Sequence, residues 1–337
     1  MSLHVGLTFD LRCDYRLLGC SEDETAEFDS IETIAAIEEA LTSLGCRTDR
    51  IGSVRELTRR LAAGDRWELV FNLAEGLRGF GRESQVPALL DAYDIPYTFS
   101  DPLVMALSLH KGMAKRVVRD LGVPTPDFVV VETVADLATV DLAFPLFVKP
   151  VAGGTSIGVT ASSKIQDRDA LNRQGVELLE RFRQPVLVET FLPGREVTVG
   201  MVGTGSSARV LGVMEVLLLP AADKEVYSYE NKARYDGRVR YRLAEDEMAE
   251  HARQVALRVW RGLGCRDAGR IDLRCDATGR VNFIEVNPLA GLHPIDSDLT
   301  ILCGLIGIQH RELIAMIFDS ARSRMVTPSA APGPSLA

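Results

Sequence analysis

The chain has 337 residues, about the length of two or three domains, so a single small module is excluded. A composition of 46% hydrophobic and 25% charged residues supplies enough apolar side chain for sizeable cores and excludes disorder over most of the length. The net charge of −9 disfavours nucleic acid or an anionic membrane as the main partner. No apolar run is long enough to span a bilayer, so we expect a cytoplasmic protein without membrane association.

Residues 1–100 are predicted to form an α/β domain with a parallel sheet, because strand patterns alternate with helical patterns. The predicted strands cover 4–9, 67–73 and 95–98. Between the first two strands, apolar spacing predicts a helix over 29–44. Asp29 and Glu32 suit a capping box at its start, and Gly45 suits its end.

The pattern changes after residue 100. Asp101 and Pro102 supply an N-cap and a first-turn proline for a new helix, which opens a smaller α+β lobe over 101–187. A third lobe is predicted over 188–325, with its first strand at 185–189, and a Pro/Ala/Ser-rich tail over 326–337 is predicted to be disordered. Within the third lobe, the polar stretch 223–237 is predicted to be a mobile lid.

One segment of the third lobe, 270–287, alternates with period two on both sides of a turn at 276–279, which predicts a β-hairpin. Alternation and register bring Asp272 opposite or diagonal to Glu285, with Asn287 on the same side. These hard oxygen donors suit Mg²⁺, which usually completes its shell with water and substrate phosphates. The hairpin therefore predicts a nucleotide site, and a merely solvated acidic face is the alternative.

A second signal follows the predicted strand that ends at Lys149. Gly153, Gly154 and Gly158 let the backbone approach an anion closely, and hydroxyl donors at Thr155 and Ser156 lie between them. The lysine precedes the glycines, so the segment is neither a P-loop nor a dinucleotide fingerprint. It predicts a phosphate-binding loop, with a plain hairpin turn as the alternative.

Seven stretches, read in chain order, carry a family resemblance. They are Glu-Gly…Arg-Glu-Ser-Gln-Val-Pro-Ala-Leu-Leu (75–90), Ile-Pro-Tyr-Thr (95–98), Leu-His-Lys-Gly-Met-Ala-Lys (109–115), Val-Lys-Pro…Gly-Thr-Ser-Ile-Gly (148–158), Val-Glu-Thr-Phe-Leu-Pro-Gly-Arg-Glu-Val-Thr-Val (188–199), Tyr-Glu-Asn-Lys (229–232) and Gly-Arg-Ile-Asp…Ile-Glu-Val-Asn-Pro-Leu-Ala-Gly (269–291). Together they resemble the ATP-grasp superfamily and, within it, the D-alanine–D-alanine ligase family. The resemblance implies three α/β lobes with ATP between the central and C-terminal lobes. It also implies carboxylate–amine ligation through an acyl phosphate.

The resemblance further implies roles for individual residues. The implied nucleotide-binding residues are Lys111, Lys149, Gly154, Ser156, Glu189, Phe191, Leu192, Glu196 and Phe283. Among them the two lysines contact phosphates, Glu189 lies near the adenine amino group and Glu196 holds the ribose. Two Mg²⁺ ions, with Mn²⁺ as an alternative, would bind Asp272, Glu285 and Asn287. The implied catalytic residues are Arg270, the backbone amide of Gly291, Thr155 and Lys232, which would reach the γ-phosphate from the lid.

The amino-acid side departs from the family pattern. The residues proposed to hold the amino-acid substrates are Glu83, Ser297, His293 and, for the first ammonium, Glu27. The family's N-terminal glutamate motif and the His-Gly before its Gly-Glu-Asp-Gly are altered, and Ala233 replaces a tyrosine. D-Alanine is the first candidate substrate, and other amino acids or an amine are the alternative. A non-catalytic ATP-binding regulator is a further alternative, and a homodimer is a family-level expectation.

Overall fold

The computed structural model describes residues 2–218 and 239–325. The predicted lid over 223–237, including Lys232, and the predicted tail over 326–337 lie outside the described residues. The described residues form three sheets, one for each predicted lobe.

The N-terminal lobe contains a three-stranded parallel sheet of order β2-β1-β3, which confirms the predicted parallel α/β arrangement. Its strands are β1 (His4–Thr8), β2 (Arg47–Gly52) and β3 (Leu69–Asn72). Its helices are α1 (Arg12–Leu17), α2 (Glu22–Thr25), α3 (Ile31–Ser43), α4 (Val54–Ala62) and α5 (Gln85–Ala92).

One strand prediction in this lobe was wrong, and one strand was missed. The stretch 95–98 makes only an isolated bridge between Val70 and Tyr97. Strand β2 was not predicted, because it lies at the sheet edge, where it keeps charged side chains such as Arg47 and Arg50 and shows no apolar run.

The start of α3 also differs from the prediction by one residue. Ser30, not Asp29, is the N-cap, and its hydroxyl accepts the backbone N–H of Thr33. The Asp29 side chain faces a cavity instead, so it is not available to close a capping box with Glu32.

The central lobe contains a four-stranded antiparallel sheet of order β4-β7-β5-β6. Its strands are β4 (Phe128–Val131), β5 (Leu146–Pro150), β6 (Lys164–Ile165) and β7 (Val186–Thr190), and its helices are α6 (Pro102–Leu109), α7 (Lys111–Asp120) and α8 (Arg168–Phe182). Asp101 caps α6 as predicted, accepting the backbone N–H of Val104. Strand β7 was grouped with the third lobe from the sequence, but it pairs with β4 and β5.

The C-terminal lobe contains a five-stranded antiparallel sheet of order β10-β9-β8-β11-β12. Its strands are β8 (Glu196–Val202), β9 (Arg209–Leu218), β10 (Val239–Leu243), β11 (Ala268–Cys275) and β12 (Val281–Asn287). Helix α9 (Glu247–Leu263) packs fully buried Ala252, Ala256 and Trp260 into the core of this lobe. The Trp260 indole N–H donates to the Gly203 carbonyl, so its one polar atom is satisfied.

The last two helices, α10 (Asp298–Leu305) and α11 (His310–Ser323), return to the N-terminal lobe. Leu313 and Ile317 of α11 share one core with Ile34 and Leu41 of α3. Among the described residues, no single helix is long and apolar enough to cross a membrane. Helices α10 and α11, bent by 112° at the break between them, reach that length and composition only as a pair.

Buried Asp267 joins the N-terminal lobe to the C-terminal lobe. Its carboxylate, which has no solvent exposure, accepts the backbone N–H of Phe99 at 2.7 Å and the Ser320 hydroxyl at 2.8 Å. The Arg324 guanidinium pairs with the same carboxylate and also donates to the Tyr97 carbonyl. These bonds hold the N-terminal lobe against the C-terminal lobe.

Candidate active site

A cleft between the lobes contains three connected cavities. The sheet cavity lies between strands β5 and β7 and the β11–β12 hairpin. The carboxylate cavity lies beneath residues 153–155 and faces Glu27, Glu75 and Glu83 of the N-terminal lobe. The outer cavity adjoins it and is lined by residues from 26–33 and 293–298.

Lys111, Arg270 and Glu285 line both the sheet cavity and the carboxylate cavity. Arg270 also lines the outer cavity. Molecules bound in neighbouring cavities would therefore meet at these side chains.

The β11–β12 hairpin has the predicted register. Asp272 pairs directly with Glu285, and Arg270 pairs with Asn287. The pairing then passes from Glu285 to Phe283, so Ile284 forms a bulge. This bulge lets both Ile284 and Glu285 line the sheet cavity. It also buries Phe283 completely in the lobe core, so the structure does not bring this predicted nucleotide residue to the cavity.

The three predicted metal ligands fit Mg²⁺ by their chemistry. Asp272 and Glu285 offer carboxylate oxygens on adjacent strands, and the Asn287 amide lies 3.4 Å from Asp272. Cations already lie against these carboxylates, since Arg270 pairs with Asp272 and Lys111 Nζ lies 3.5 Å from Glu285. The fit to a divalent ion therefore rests on the three oxygen donors, with one cation already placed beside each carboxylate.

Two buried lysines share one glutamate at the back of the sheet cavity. Lys149 Nζ lies 2.9 Å from Glu189 Oε1, and Lys115 Nζ lies 2.8 Å from Oε2. Lys115 has no exposure and also donates to the Thr125 hydroxyl. Burial lowers the pKa of Lys115 to about 8 in spite of Glu189. Burial opposes ionisation of Glu189 too, but the two lysines outweigh it and lower the pKa of Glu189. The negative carboxylate of Glu189 thus lies between two positive ammonium groups, and their attraction stabilises the cluster.

Lys111 is the first residue of α7, where the helix dipole disfavours a cation. Its ammonium is held in place by acceptors, because it donates to the Gly153 carbonyl at 2.5 Å and lies near Glu285. A lysine kept at an unfavourable helix end and turned into a cleft is consistent with the predicted phosphate contact.

The glycine-rich loop lies between the sheet and carboxylate cavities. Thr155 and Ser156 both adopt left-handed backbone conformations, with φ of 51° and 57°. Such a conformation is costly for a β-branched residue, and strain of this kind concentrates at ligand-binding sites. Ser156 lines the sheet cavity, whereas Gly154 and Thr155 line the carboxylate cavity.

An apolar and aromatic wall bounds the other end of the sheet cavity. Phe191 and Leu192, both predicted nucleotide residues, line it and are largely buried. The Arg274 guanidinium lies 5.1 Å from the centre of the Phe191 ring and donates to Glu196 at 3.0 Å. This wall offers an apolar surface beside a polar edge, as a purine ribonucleoside requires.

The carboxylate cavity concentrates acidic groups around Arg82. The carboxylate oxygens of Glu27, Glu75 and Glu83 lie within 4.8 Å of one another. Arg82 donates to Glu27 at 2.6 Å and lies 3.6 Å from Glu83. Burial, reinforced by Glu27, raises the pKa of Glu83 to about 7. Burial also raises the pKa of Glu75 well above its usual range.

Arg270 faces all three cavities and is surrounded by acids. It pairs with Asp272 and lies 3.8 Å from Asp298. Burial works against its charge, but the neighbouring carboxylates outweigh this and raise the pKa of Arg270, so it remains a cation. Gly291 lines the carboxylate and outer cavities beside it, and a Cβ there would lie 2.9 Å from the Ser297 hydroxyl.

The outer cavity holds the remaining predicted substrate residues. Ser297 accepts the backbone N–H of His293 at 2.9 Å, and both residues line the cavity. Asp29 is also part of the lining, and burial raises its pKa to about 7 although Arg12 opposes the rise.

Comparison with known proteins identifies the family. A family model described as D-ala D-ala ligase C-terminus matches residues 117–319. A D-alanine–D-alanine ligase of Bordetella petrii is 31% identical over 297 residues, which cover 87% of each chain. The chain belongs to the D-alanine–D-alanine ligase family. Membership of this family makes it an ATP-dependent ligase.

Solved structures agree on the ATP-grasp fold. The crystal structure of a D-alanine–D-alanine ligase from Bacillus anthracis complexed with ATP matches with a TM-score of 0.71 at 20% identity, covering 96% of this chain and 98% of that chain. The VanG D-Ala:D-Ser ligase from Enterococcus faecalis matches with a TM-score of 0.72 at 18% identity, covering 95% and 100%.

The structure places in this ligase's cleft, or against the residues that line it, side chains that the sequence did not single out. Lys115 stands four positions after Lys111 on one helix face, a spacing already present in the matched stretch 109–115. Glu75 and Arg82 likewise belong to the matched stretch 75–90 that contains Glu83. Asp298 carried no signal, because only folding brings it to Arg270.

Proposed function

We propose that this ligase uses ATP to join the carboxylate of one amino acid to the amine of a second amino acid, with D-alanine as the first candidate for both. The observation that supports this most directly is the wall shared by the sheet and carboxylate cavities. Lys111, Arg270 and Glu285 would lie where a terminal phosphate in one cavity meets a carboxylate in the other. Such a junction favours phosphoryl transfer to the carboxylate.

ATP would occupy the sheet cavity. The adenine would lie against Phe191 and Leu192, with the amino group near Glu189 and the ribose near Glu196. Lys111, Lys149 and Ser156 line the same cavity and would face the phosphates, with Gly154 in the adjoining part of the glycine-rich loop.

The oxygen ligands Asp272, Glu285 and Asn287 would hold magnesium, as two ions, with Mn²⁺ as an alternative. When bound, the metal supplies neutralisation of the triphosphate charge. Arg270 is held beside these ligands by Asp272 and Asp298, so its guanidinium keeps a fixed direction.

In the proposed reaction, the first carboxylate attacks the γ-phosphorus of ATP, giving an acyl phosphate and ADP. The amine of the second substrate then attacks the acyl carbon and displaces phosphate. Arg270 and the Gly291 amide would stabilise the oxyanion, and the Thr155 hydroxyl would orient the first carboxylate. Ser297 and His293 would contact the second substrate from the outer cavity. Lys232, the proposed γ-phosphate contact, belongs to the segment outside the described residues.

The test is ADP and phosphate release across single and paired D- and L-amino acids, with the products identified by mass spectrometry. We expect release to require an amino acid and the product to be a dipeptide. Strong D-alanyl-D-alanine formation would support the leading candidate, and none at millimolar D-alanine would remove it. Nucleotide binding without amino-acid-dependent turnover would instead favour a regulator.

A different second substrate is the main alternative. Asp29 and His293 line the outer cavity, where the sequence departs from the family pattern, and they could pair with groups that D-alanine lacks. Other amino acids or an amine, in secondary metabolism, therefore belong in the same panel. The cytoplasmic location and the homodimer remain predictions.

A further inference from the structure

A further cavity, of about 490 Å³, lies outside the cleft and shares no lining residue with the three cavities described above. It is enclosed by the segment that follows helix α7, one face of helix α9 and the turn of the β11–β12 hairpin. We call it the basic cavity. The described residues that line it include no carboxylate, although the whole chain has a net charge of −9. Its polar and charged lining residues are His251, Gln254, Arg258, Thr278 and Arg280.

Helix α9 has two different faces. Positions 251, 254, 255 and 258 follow the i, i+3, i+4, i+7 spacing of one helix face, and all four line the basic cavity. The face that packs into the lobe core uses other positions, among them Ala252, Ala256 and Trp260. His251 and Arg258 are exposed and therefore lie outside that core.

The two guanidinium groups of the basic cavity have no partner in the described part of the chain. No hydrogen bond or ion pair joins the side chain of Arg258 or Arg280 to a residue that the structure describes. Other arginines of the same lobe are paired, since Arg195 lies 2.6 Å from Glu215 and Arg274 lies 3.0 Å from Glu196. The N–H donors of Arg258 and Arg280 are thus available to an anion.

The inner surface of the basic cavity is apolar. Val123 and Val281 are buried there, and Pro124 and Val255 line the cavity beside them. Its volume of about 490 Å³ is that of a small-molecule site. Exposed guanidinium groups above an apolar surface suit a ligand that has both an anionic group and an apolar body. A phosphate monoester carries a charge of about −1.5 to −2 at pH 7, which matches two arginines.

We propose that the basic cavity is a second ligand site, which binds a phosphate monoester with an apolar body and regulates nucleotide binding. The cavity adjoins the strand that carries Glu285, because the Phe283 backbone N–H donates to the Pro124 carbonyl at 2.8 Å. The Lys115 ammonium donates to the Phe283 carbonyl and also pairs with Glu189 at the back of the sheet cavity. A ligand against Pro124 and Val281 would therefore act on strand β12 and on Lys115.

Calorimetry tests the binding, with the full chain saturated by a non-hydrolysable ATP analogue and Mg²⁺ so that the sheet cavity is occupied. The probes are phenyl phosphate, inorganic phosphate, which lacks the apolar body, and phenol, which lacks the anion. Phenyl phosphate should bind about tenfold or more tightly than either. Arg258→Gln and Arg280→Gln should each weaken its binding by about tenfold or more. Arg253→Gln, on the same helix but outside the lining, is the matched control and should leave the affinity unchanged.

Three results would overturn the site: no saturable binding of phenyl phosphate at millimolar concentration, wild-type affinity in both cavity variants, or an equal loss in Arg253→Gln. Equal affinity for phenyl phosphate and either of the other probes would overturn the assigned ligand class.

The regulatory role is tested by the KM for ATP, measured from steady-state ADP release with and without saturating phenyl phosphate. We expect a change of about fivefold or more in wild type and none in Arg258→Gln. An equal change in both proteins would mean that phenyl phosphate competes in the sheet cavity, and no change in wild type would mean that the two sites are not coupled. Either result would overturn the regulatory role.

Discussion

The sheet cavity and the carboxylate cavity treat charge in opposite ways. In the sheet cavity the charges are paired within the protein, since Glu189 joins two lysines and Glu196 joins Arg274. In the carboxylate cavity three glutamates share Arg82, and burial shifts the pKa of two of them upward.

The difference indicates how each side meets its ligand. Paired charges hold a fixed shape before binding, which suits a nucleotide whose chemistry is constant. Three carboxylates that share one guanidinium keep an excess of negative charge, and their burial makes ionisation costly. The residues of the sheet cavity can therefore stay the same in ligases that use different substrates, while the residues of the carboxylate cavity vary.

Replacing Glu285, one of the residues that line both cavities, should have the largest effect. Glu285→Gln removes a negative oxygen from the metal site and from the junction, so kcat should fall by about 100-fold or more. Both nucleotide-dependent and amino-acid-dependent steps should suffer, most of all at low Mg²⁺. Steady-state ADP release measures this, with Glu180→Gln on α8 as an exposed control. Near-normal turnover in a folded variant would remove Glu285 from the metal site.

A change confined to the sheet cavity should be smaller and one-sided. Lys115→Met leaves Glu189 with a single lysine, so Lys149 is drawn closer to Glu189 and away from the phosphates. We expect the KM for ATP to rise by about tenfold and the KM for the amino acid to stay the same. Arg116→Met, on the exposed side of the same helix, is the control. Equal increases in both KM values would contradict the contrast between the two cavities.

The smallest effect should appear as a pH dependence of the carboxylate cavity. The pKa of Glu83 is raised to about 7 in the folded protein, so the folded state binds a proton that the unfolded state has already lost between about pH 5 and 7. The ligand-free protein should therefore lose stability as the pH rises through this window. Thermal unfolding of wild type and Glu83→Gln checks this.

The Glu83→Gln variant should show a shallower decline of Tm with pH, by a few degrees over this window. Identical pH profiles of the two ligand-free proteins would indicate that Glu83 does not carry this titration.

The sequence alone determined those parts of this ligase whose information is local. Period-two alternation around the turn predicted the hairpin and the pairing of Asp272 with Glu285, and the confirmed family resemblance supplied the ATP-grasp fold. Asp101 capped its helix as predicted because an N-cap depends on only a few neighbouring residues. Each of these signals lies within a short stretch of chain.

Only the tertiary structure decided which strands share a sheet and which side chains line each cavity, because both depend on which distant segments meet. Strand β7 joined the central sheet through its hydrogen-bonding partners, and one bulged residue, Ile284, removed Phe283 from the cavity. The carboxylate cavity collects Glu27, Glu83 and Arg270 from separate elements, and its charge balance exists only after burial changes the cost of ionisation. Sequence patterns report spacing along the chain, whereas that balance depends on distances through space.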